Sequence, residues 1–110
     1  MRGRRVADLL ALPVRMHGIQ LGRPVQALVD ARADRVLGLE LVCGDGTHRF
    51  LPFSVARVRP GEIEVSSALA LIDERELDYY RRNSRRVTDV GYEDPWVDDD
   101  GALRETRSAA

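Results

Sequence analysis

The residues that could carry out chemistry in this sequence are few and widely spaced. The only cysteine is Cys43, and the only histidines are His17 and His48. Cys43 and His48 flank a predicted turn, where they could share a zinc ion or act as a nucleophile and its base. A zinc site usually needs about four ligands in close pairs, and a catalytic thiolate needs an exposed site that lowers its pKa. Because Cys43 alternates with leucines, we interpret it as a small buried side chain. The sequence therefore predicts no catalytic residue, no metal and no cofactor.

A second candidate is Gly44-Asp45-Gly46, which could form a phosphate-binding loop. Such loops bind anions where a strand leads into a helix, and no helical pattern follows here. The segment lies between two runs of alternating apolar residues. That context favours a tight hairpin in which Asp-Gly supplies the positive φ of the turn.

The densest basic segment lies near the end of a predicted helix, and this arginine cluster comprises Arg81, Arg82, Arg85 and Arg86. Arginines bind phosphates in a salt-dependent manner, and the neighbouring Tyr79 and Tyr80 offer faces on which bases could stack. The alternative is a solvated helix end that satisfies its own dipole and faces the acidic residues that follow. We favour the solvated helix end and keep RNA binding as the second hypothesis, since the net charge of the chain is −1.

Candidate contacts with a protein partner lie on the same predicted helix and beyond it; they are Leu77, Tyr79, Tyr80 and Trp96. Trp96 stands beside an apolar residue in a strongly acidic segment. It either anchors a partner as a short linear motif or packs back onto its own domain. The sequence pattern leaves these two alternatives open.

The elements that would position these residues are short strands. Residues 35–43 alternate between two faces, which predicts a strand whose buried face carries Leu37, Leu39, Leu41 and Cys43. The six predicted strands cover residues 14–17, 24–30, 35–43, 47–52, 57–59 and 62–65, with a turn at residues 18–22. Pro60-Gly61 favours a type II turn between the last two. Six short strands with turn residues between them predict a small antiparallel β-barrel or sandwich.

The pattern changes after residue 67. Asp73 and Glu76 form a possible capping box, with Ile72 and Leu77 as a hydrophobic staple. They predict a short helix within residues 73–86 that docks on the strands. Residues 87–110 are acidic and contain Gly and Pro, which predicts a disordered tail.

Length and composition favour one small domain. The chain has 110 residues, of which 44% are hydrophobic and 32% are charged, as in ordinary globular proteins. No apolar run approaches the length of a membrane span, so we expect no membrane insertion and a cytoplasmic location. A core this small would gain from a partner or a second copy of the chain.

The strand series resembles the PRC-barrel family over about residues 12–66. The matching segments are Leu12-Pro13-Val14, Leu21-Gly22, Val29-Asp30, Val36-Leu37-Gly38-Leu39, Leu51-Pro52-Phe53 and Ile63-Glu64-Val65. The family fold is a six-stranded β-barrel, found in the H subunit of photosynthetic reaction centres and in a ribosome maturation factor.

The resemblance implies a PRC-type barrel, placed at residues 6–72. With the docked helix at residues 73–86 and the acidic tail predicted above, the expected protein is mainly β and has three parts. Family members supply no catalytic residues. The implied role is that of a non-enzymatic adaptor that binds a protein partner or self-associates. RNA or ribosome-assembly binding through the arginine cluster is the alternative.

Overall fold

Ten short strands and two helices account for most of the residues that this computed structural model describes, 3–105, and the protein is mainly β. The strands are β1 (Gly3–Arg5), β2 (Val14–Met16), β3 (Ile19–Val29), β4 (Val36–Cys43), β5 (His48–Pro52), β6 (Arg57–Arg59), β7 (Glu62–Glu64), β8 (Arg85–Arg86), β9 (Trp96–Asp98) and β10 (Leu103–Arg104). The helices are α1 (Val6–Leu10) and α2 (Glu74–Asn83), with 3₁₀ turns at Phe53–Val55, Ala68–Ala70 and Val87–Asp89. None of the helices in residues 3–105 is long and apolar enough to cross a membrane.

The main sheet contains all six predicted strands. Its order is β5-β4-β3-β2-β7-β6, and β8 pairs with the C-terminal end of β3, at Leu28 and Val29. The predicted turn at residues 18–22 is wrong beyond Gly18, because residues 19–22 belong to β3. His17 and Gly18 both have positive φ, 51° and 83°. Two such residues reverse the chain at once, so Ile19 pairs directly with Met16.

The sheet is open, so the prediction of a closed and wholly antiparallel barrel is wrong. Within residues 3–105, β5 does not pair with β6, and β2 pairs with β7 in parallel. The outer edge of β5 instead receives Ile72, whose N–H donates to the Phe50 carbonyl at 2.7 Å and whose carbonyl accepts from the Phe50 N–H at 2.9 Å. Closing a barrel would require another strand to pair with this outer edge of β5. That edge is already bonded to the segment that leads into α2.

Bulges change which side chains of the two longest strands face the core. The β3–β4 register steps from Leu28↔Gly38 to Val29↔Val36, which leaves Leu37 as an extra residue. Leu37 therefore packs on the α2 side of the sheet, and the prediction that it shares a face with Leu39 is wrong. Period-two counting fails here because one unpaired residue reverses the alternation.

Helix α2 covers the outer face of the sheet. Asp73 caps the helix, since its Oδ1 accepts from the N–H groups of Arg75 at 3.1 Å and Glu76 at 3.2 Å. Leu77 then packs with Leu28 and Phe50 in a cluster separate from the main core. The main core lies on the opposite face of the sheet.

The predicted disordered tail is wrong for residues 87–105. Strand β9 pairs with both β1 and β10 in a small antiparallel sheet. Its Val97 and the Leu103 of β10 lie in the main core, where they are 1% and 8% exposed. The apolar residues of this acidic segment find a partner strand near the start of the chain, and that pairing has no local signal. Residues 106–110 of the predicted tail lie outside the described residues.

Candidate functional site

The structure separates the cysteine from the histidines. His48 lies opposite Val42 in the β4–β5 ladder, so His48 and Cys43 point to opposite faces of the ribbon. Burial raises the pKa of the half-buried Cys43 thiol, which disfavours the thiolate that nucleophilic catalysis needs. His17 lies in the β2–β3 turn. No three His, Cys, Asp or Glu side chains within residues 3–105 are grouped to hold a metal ion.

The Gly44-Asp45-Gly46 segment is a hairpin turn between β4 and β5. Gly46 takes a φ of 83°, and the Cys43 N–H donates to the Thr47 carbonyl at 2.8 Å. Asp45 Oδ1 accepts from the Thr47 N–H at 2.9 Å and from the Thr47 hydroxyl at 2.6 Å. These hydrogen bonds lower the pKa of the Asp45 carboxyl. The resulting carboxylate would repel a phosphate.

A charged network around one buried carboxylate, which the sequence pattern did not reveal, joins α2 to the main sheet; its cationic members Arg81 and His48 are partly exposed. Glu40 of β4 is 9% exposed. Arg81 donates to it twice, from Nε to Oε1 at 3.2 Å and from Nη2 to Oε2 at 2.6 Å. His48 Nδ1 lies 2.7 Å from the same Oε2. The Arg81 hydrogen bonds outweigh burial and lower the pKa of Glu40, while Glu40 raises the pKa of Arg81. The only sequence signal was a single carboxylate within an otherwise apolar strand.

Most of the arginine cluster is engaged within the chain. Arg81 binds Glu40 and also Asp78, at 3.1 Å. Arg86 Nε donates to Asp89 Oδ2 at 2.9 Å, and Arg85 donates to the Asp89 carbonyl at 3.2 Å. Arg82 is exposed and forms no ion pair with any residue in the described range. An open groove of about 560 Å³ is lined by Glu40, Arg81, Ser84, Arg85, Arg86 and Asp89. Three of the four arginines therefore line one groove, but the carboxylates of Glu40 and Asp89 beside them would oppose the binding of a phosphate.

The candidate partner contacts on α2 differ in exposure. Leu77 is 0% exposed, so the prediction that it contacts a partner is wrong. Its side chain instead packs α2 against the sheet. Tyr80 is half-buried and stacks on Phe50 with ring centroids 4.2 Å apart. Tyr79 is 58% exposed and meets Tyr80 edge to face. Tyr79 is thus the residue of this helix that a partner could reach most readily.

Trp96 lies in the small sheet. It pairs with Arg5 of β1 on one side and with Arg104 of β10 on the other, and it is half-buried. Of the two alternatives, the structure shows Trp96 packed back onto its own domain. Its role as a partner contact stays a prediction.

One edge of the main sheet is unpaired. We call the outer side of β6 (Arg57–Arg59) the β6 edge; within residues 3–105 no strand pairs with it. Arg59 and Glu62 flank the two-residue turn at Pro60-Gly61, and the Gly61 φ of 83° fits the predicted type II turn. Beside the β6 edge lies a groove of about 450 Å³, the edge groove, lined by Arg4, Phe53, Ala56, Arg57, Val58, Arg59, Asp98 and Asp99.

Large apolar side chains are also exposed elsewhere on the surface. Leu69 is 94% exposed, Ile19 62% and Val55 46%. Val55 and His17 line the same shallow cavity of about 290 Å³. Scattered single apolar residues are normal on a protein surface, and these are weaker candidates for an interface than the edge groove.

Comparison of the chain with protein-family models and with curated proteins gives no match. The resemblance to PRC-barrel domains therefore stays a prediction from the residues.

Proposed function

We propose that this protein is a PRC-barrel-like, non-enzymatic adaptor of the cytoplasm that binds a protein partner or a second copy of itself. The observation that carries the proposal is the β6 edge, an unpaired strand beside a groove whose lining includes the apolar residues Phe53, Ala56 and Val58. An exposed strand edge is a ready-made template for pairing with another chain.

The position of the matching segments supports the link to the PRC-barrel family. Val29 is the last residue of β3, Gly38 lies in the interior of β4, and Leu51-Pro52 ends β5. Two features depart from the family pattern: Leu21-Gly22 lies inside β3 rather than in a turn, and the sheet is open.

The state of the reactive side chains supports a non-enzymatic role. Cys43 faces away from His48, and burial disfavours its thiolate. Glu40 is held by Arg81 and His48 in a network that joins α2 to the sheet. Glu40 and His48 thus have a structural role in the fold, and Cys43 lacks, among the described residues, both a neighbouring base and a favoured thiolate.

Site-specific photo-crosslinking in cells that express the protein tests the adaptor role. A crosslinking amino acid at position 57 should capture a protein, whereas the same group at position 32, an exposed arginine outside every candidate site, serves as the matched control. Light scattering over a concentration series then tells whether the captured protein is a second copy. A strictly monomeric chain that captures no protein from position 57 would contradict the proposal.

The alternative function, RNA binding through the arginine cluster, is favoured by one observation: Arg82 is exposed and has no carboxylate partner in the described range, near the exposed Tyr79. It predicts affinity for single-stranded RNA that falls steeply with salt. Combined Arg82→Ala and Arg85→Ala substitutions, which leave the Arg81–Glu40 pair intact, should abolish this binding. Absent or salt-independent RNA binding would remove this alternative.

A further inference from the structure

We propose that the β6 edge binds an extended peptide segment with the pattern acidic–apolar–acidic, added as an antiparallel strand. The inference rests on the proposed adaptor function and adds the chemistry of the partner segment. It follows from three properties of β6: the direction of its free backbone groups, the side chains along it and the charge of the edge groove.

The backbone of Val58 faces the edge groove. Arg59 and Glu62 close a two-residue turn and form a hydrogen-bonded pair, so the next pair, Val58 and Ile63, is of the non-hydrogen-bonded type. In agreement, the Ile63 N–H donates to the Pro13 carbonyl at 2.8 Å, on the side away from β6. The N–H and C=O of Val58 therefore point outward, where an added strand can bond to both.

The side chains of β6 specify the pattern of the added strand. Strand β6 reads Arg-Val-Arg and already pairs with Glu-Ile-Glu of β7, with Arg57 opposite Glu64 and Arg59 opposite Glu62. Arg59 Nε also donates to Glu64 Oε1 at 2.9 Å. Opposite charges across strands stabilise pairing. A strand added at the β6 edge would lie beside the same three side chains as β7 does. It should therefore carry acidic residues opposite Arg57 and Arg59.

The central residue of the segment should be apolar. It would lie opposite Val58 and on the same face, and Val58 lines the edge groove together with the apolar residues Phe53 and Ala56. All three side chains are half-exposed or pack at the margin of the main core. An apolar side chain placed there would extend the core and remove this surface from water.

The charges around the edge groove favour an acidic segment overall. Three arginines and two aspartates line it. Asp98 is bound to Arg104 at 2.8 Å, which leaves Asp99 as the exposed acid on the far wall. Arg57 and Arg59 lie on the β6 side, where the flanking carboxylates of the segment would be.

Pairing of two β6 edges between copies of this chain is disfavoured by the same charges. In an antiparallel pair centred on Val58, Arg57 of one copy would lie opposite Arg59 of the other. Like charges directly opposite are destabilising, and charged residues at sheet edges commonly prevent such association. The partner segment is thus expected to differ in sequence from β6 itself.

Titration of the ¹⁵N-labelled protein with a short peptide tests the inference. The probe has the sequence of residues 61–66, Gly-Glu-Ile-Glu-Val-Ser, and its control has both glutamates replaced by lysine. The probe should shift the amide signals of Val58 and Arg59, and the lysine peptide should not. Arg57→Glu should weaken binding about fivefold, while the matched variant Arg32→Glu, at an exposed arginine outside the candidate sites, should leave it unchanged.

The backbone contribution needs its own test. N-methylation of the isoleucine in the probe removes one of the two expected hydrogen bonds and should abolish detectable shifts. Val58→Pro removes the N–H of Val58 that points outward and is not bonded to β7, and it should also abolish the shifts. Circular dichroism checks that this variant is folded. Equal binding of the lysine peptide, or shifts that map away from β6, would overturn the inference. If position 57 still crosslinks a partner in cells after that result, the adaptor function stands without it.

Discussion

At the scale of single residues, one carboxylate connects three elements of the fold. Glu40 lies on β4, and its oxygens contact Arg81 of α2 and His48 of β5. A buried charge is tolerated when its lone pairs are hydrogen-bonded, and removing one partner is costly because the other is left uncompensated. Glu40 therefore favours one placement of α2 on the sheet.

Glu40→Gln should lower the free energy of unfolding at neutral pH by about 1–2 kcal/mol, since charged hydrogen bonds to Arg81 are replaced by neutral ones. The pKa of Glu40 is lowered in the folded state. Its contribution is therefore present above the ordinary glutamate pKa of about 4.3 and is lost as the pH falls through the folded value.

Urea unfolding of both proteins between pH 7 and pH 3 measures this effect. The difference between wild type and variant should be largest at neutral pH and should shrink in acid. Glu93→Gln, at an exposed glutamate, is the control. A difference that stays constant with pH would show that the Glu40 charge contributes no stability.

Gly38→Ala should destabilise the protein because β4 has no room for a side chain at this position. A Cβ on Gly38 would overlap the Leu51 carbonyl oxygen and the Phe50 ring. Overpacking of this kind costs about 1–3 kcal/mol. Gly44→Ala is the control, since a Cβ there meets nothing within 4 Å. Equal unfolding midpoints in urea for the two variants would contradict the close packing at Gly38.

At the scale of elements, α2 is the clearest case in which local sequence signals and tertiary packing agree. Asp73 caps the helix, and Ile72 and Leu77 pack in the same cluster. The local pattern indicated where the helix begins and which side is apolar. It did not indicate that α2 covers the outer face of the sheet, because that depends on Leu28 and Phe50, which are distant in sequence.

Leu77→Ala should lower the free energy of unfolding by about 2–4 kcal/mol, because it removes a fully buried side chain and leaves a cavity. Leu69→Ala makes the same chemical change at a residue that is 94% exposed and should stay within about 0.5 kcal/mol of wild type. Chemical denaturation followed by circular dichroism measures both. If Leu77→Ala is as stable as Leu69→Ala, α2 is not docked as described.

At the scale of the whole molecule, the N-terminal strand and the acidic C-terminal segment close one side of the main core. Val6 of α1, Val97 of β9 and Leu103 of β10 share that core with the main sheet. The Val36 N–H donates to the Gly101 carbonyl at 2.8 Å, which ties the β9–β10 turn to β4. The radius of gyration, 13.3 Å, is that expected for a single compact unit of about 100 residues.

Val97→Ala should destabilise the whole protein by about 2 kcal/mol, because the residue lies in the shared core. Val55→Ala, at a valine that is 46% exposed, is the matched control. Trp96 is the only tryptophan, so its fluorescence and far-ultraviolet circular dichroism should report one coincident transition. A Trp96 transition separate from that of the backbone would show that the small sheet folds independently of the main one.

The positions of the main-sheet strands were largely predictable, whereas their closure and the second sheet were not, and the candidate sites were only partly so. The six predicted strands, the Gly46 hairpin, the Pro60-Gly61 turn and the Asp73 cap depend on neighbours in sequence, and local pattern identifies them. The exposure of Tyr79, the burial of Leu77 and the pairing of Arg81 with Glu40 depend on contacts between distant segments. No single-sequence pattern contains those contacts.

The sequence by itself determined that this protein is mainly β, where most strands and the main helix lie and which turns join them, because φ preferences and side-chain alternation act over a few residues. Tertiary structure alone decided that the sheet stays open, that Leu37 leaves its expected face and that residues 87–105 fold against β1. The open sheet and the folding of residues 87–105 depend on which distant backbone groups compete for the same edge: Ile72 occupies the outer side of β5, β9 pairs with β1, and the β6 edge is left unpaired. The displacement of Leu37 depends on the bulge in the pairing of β3 with β4.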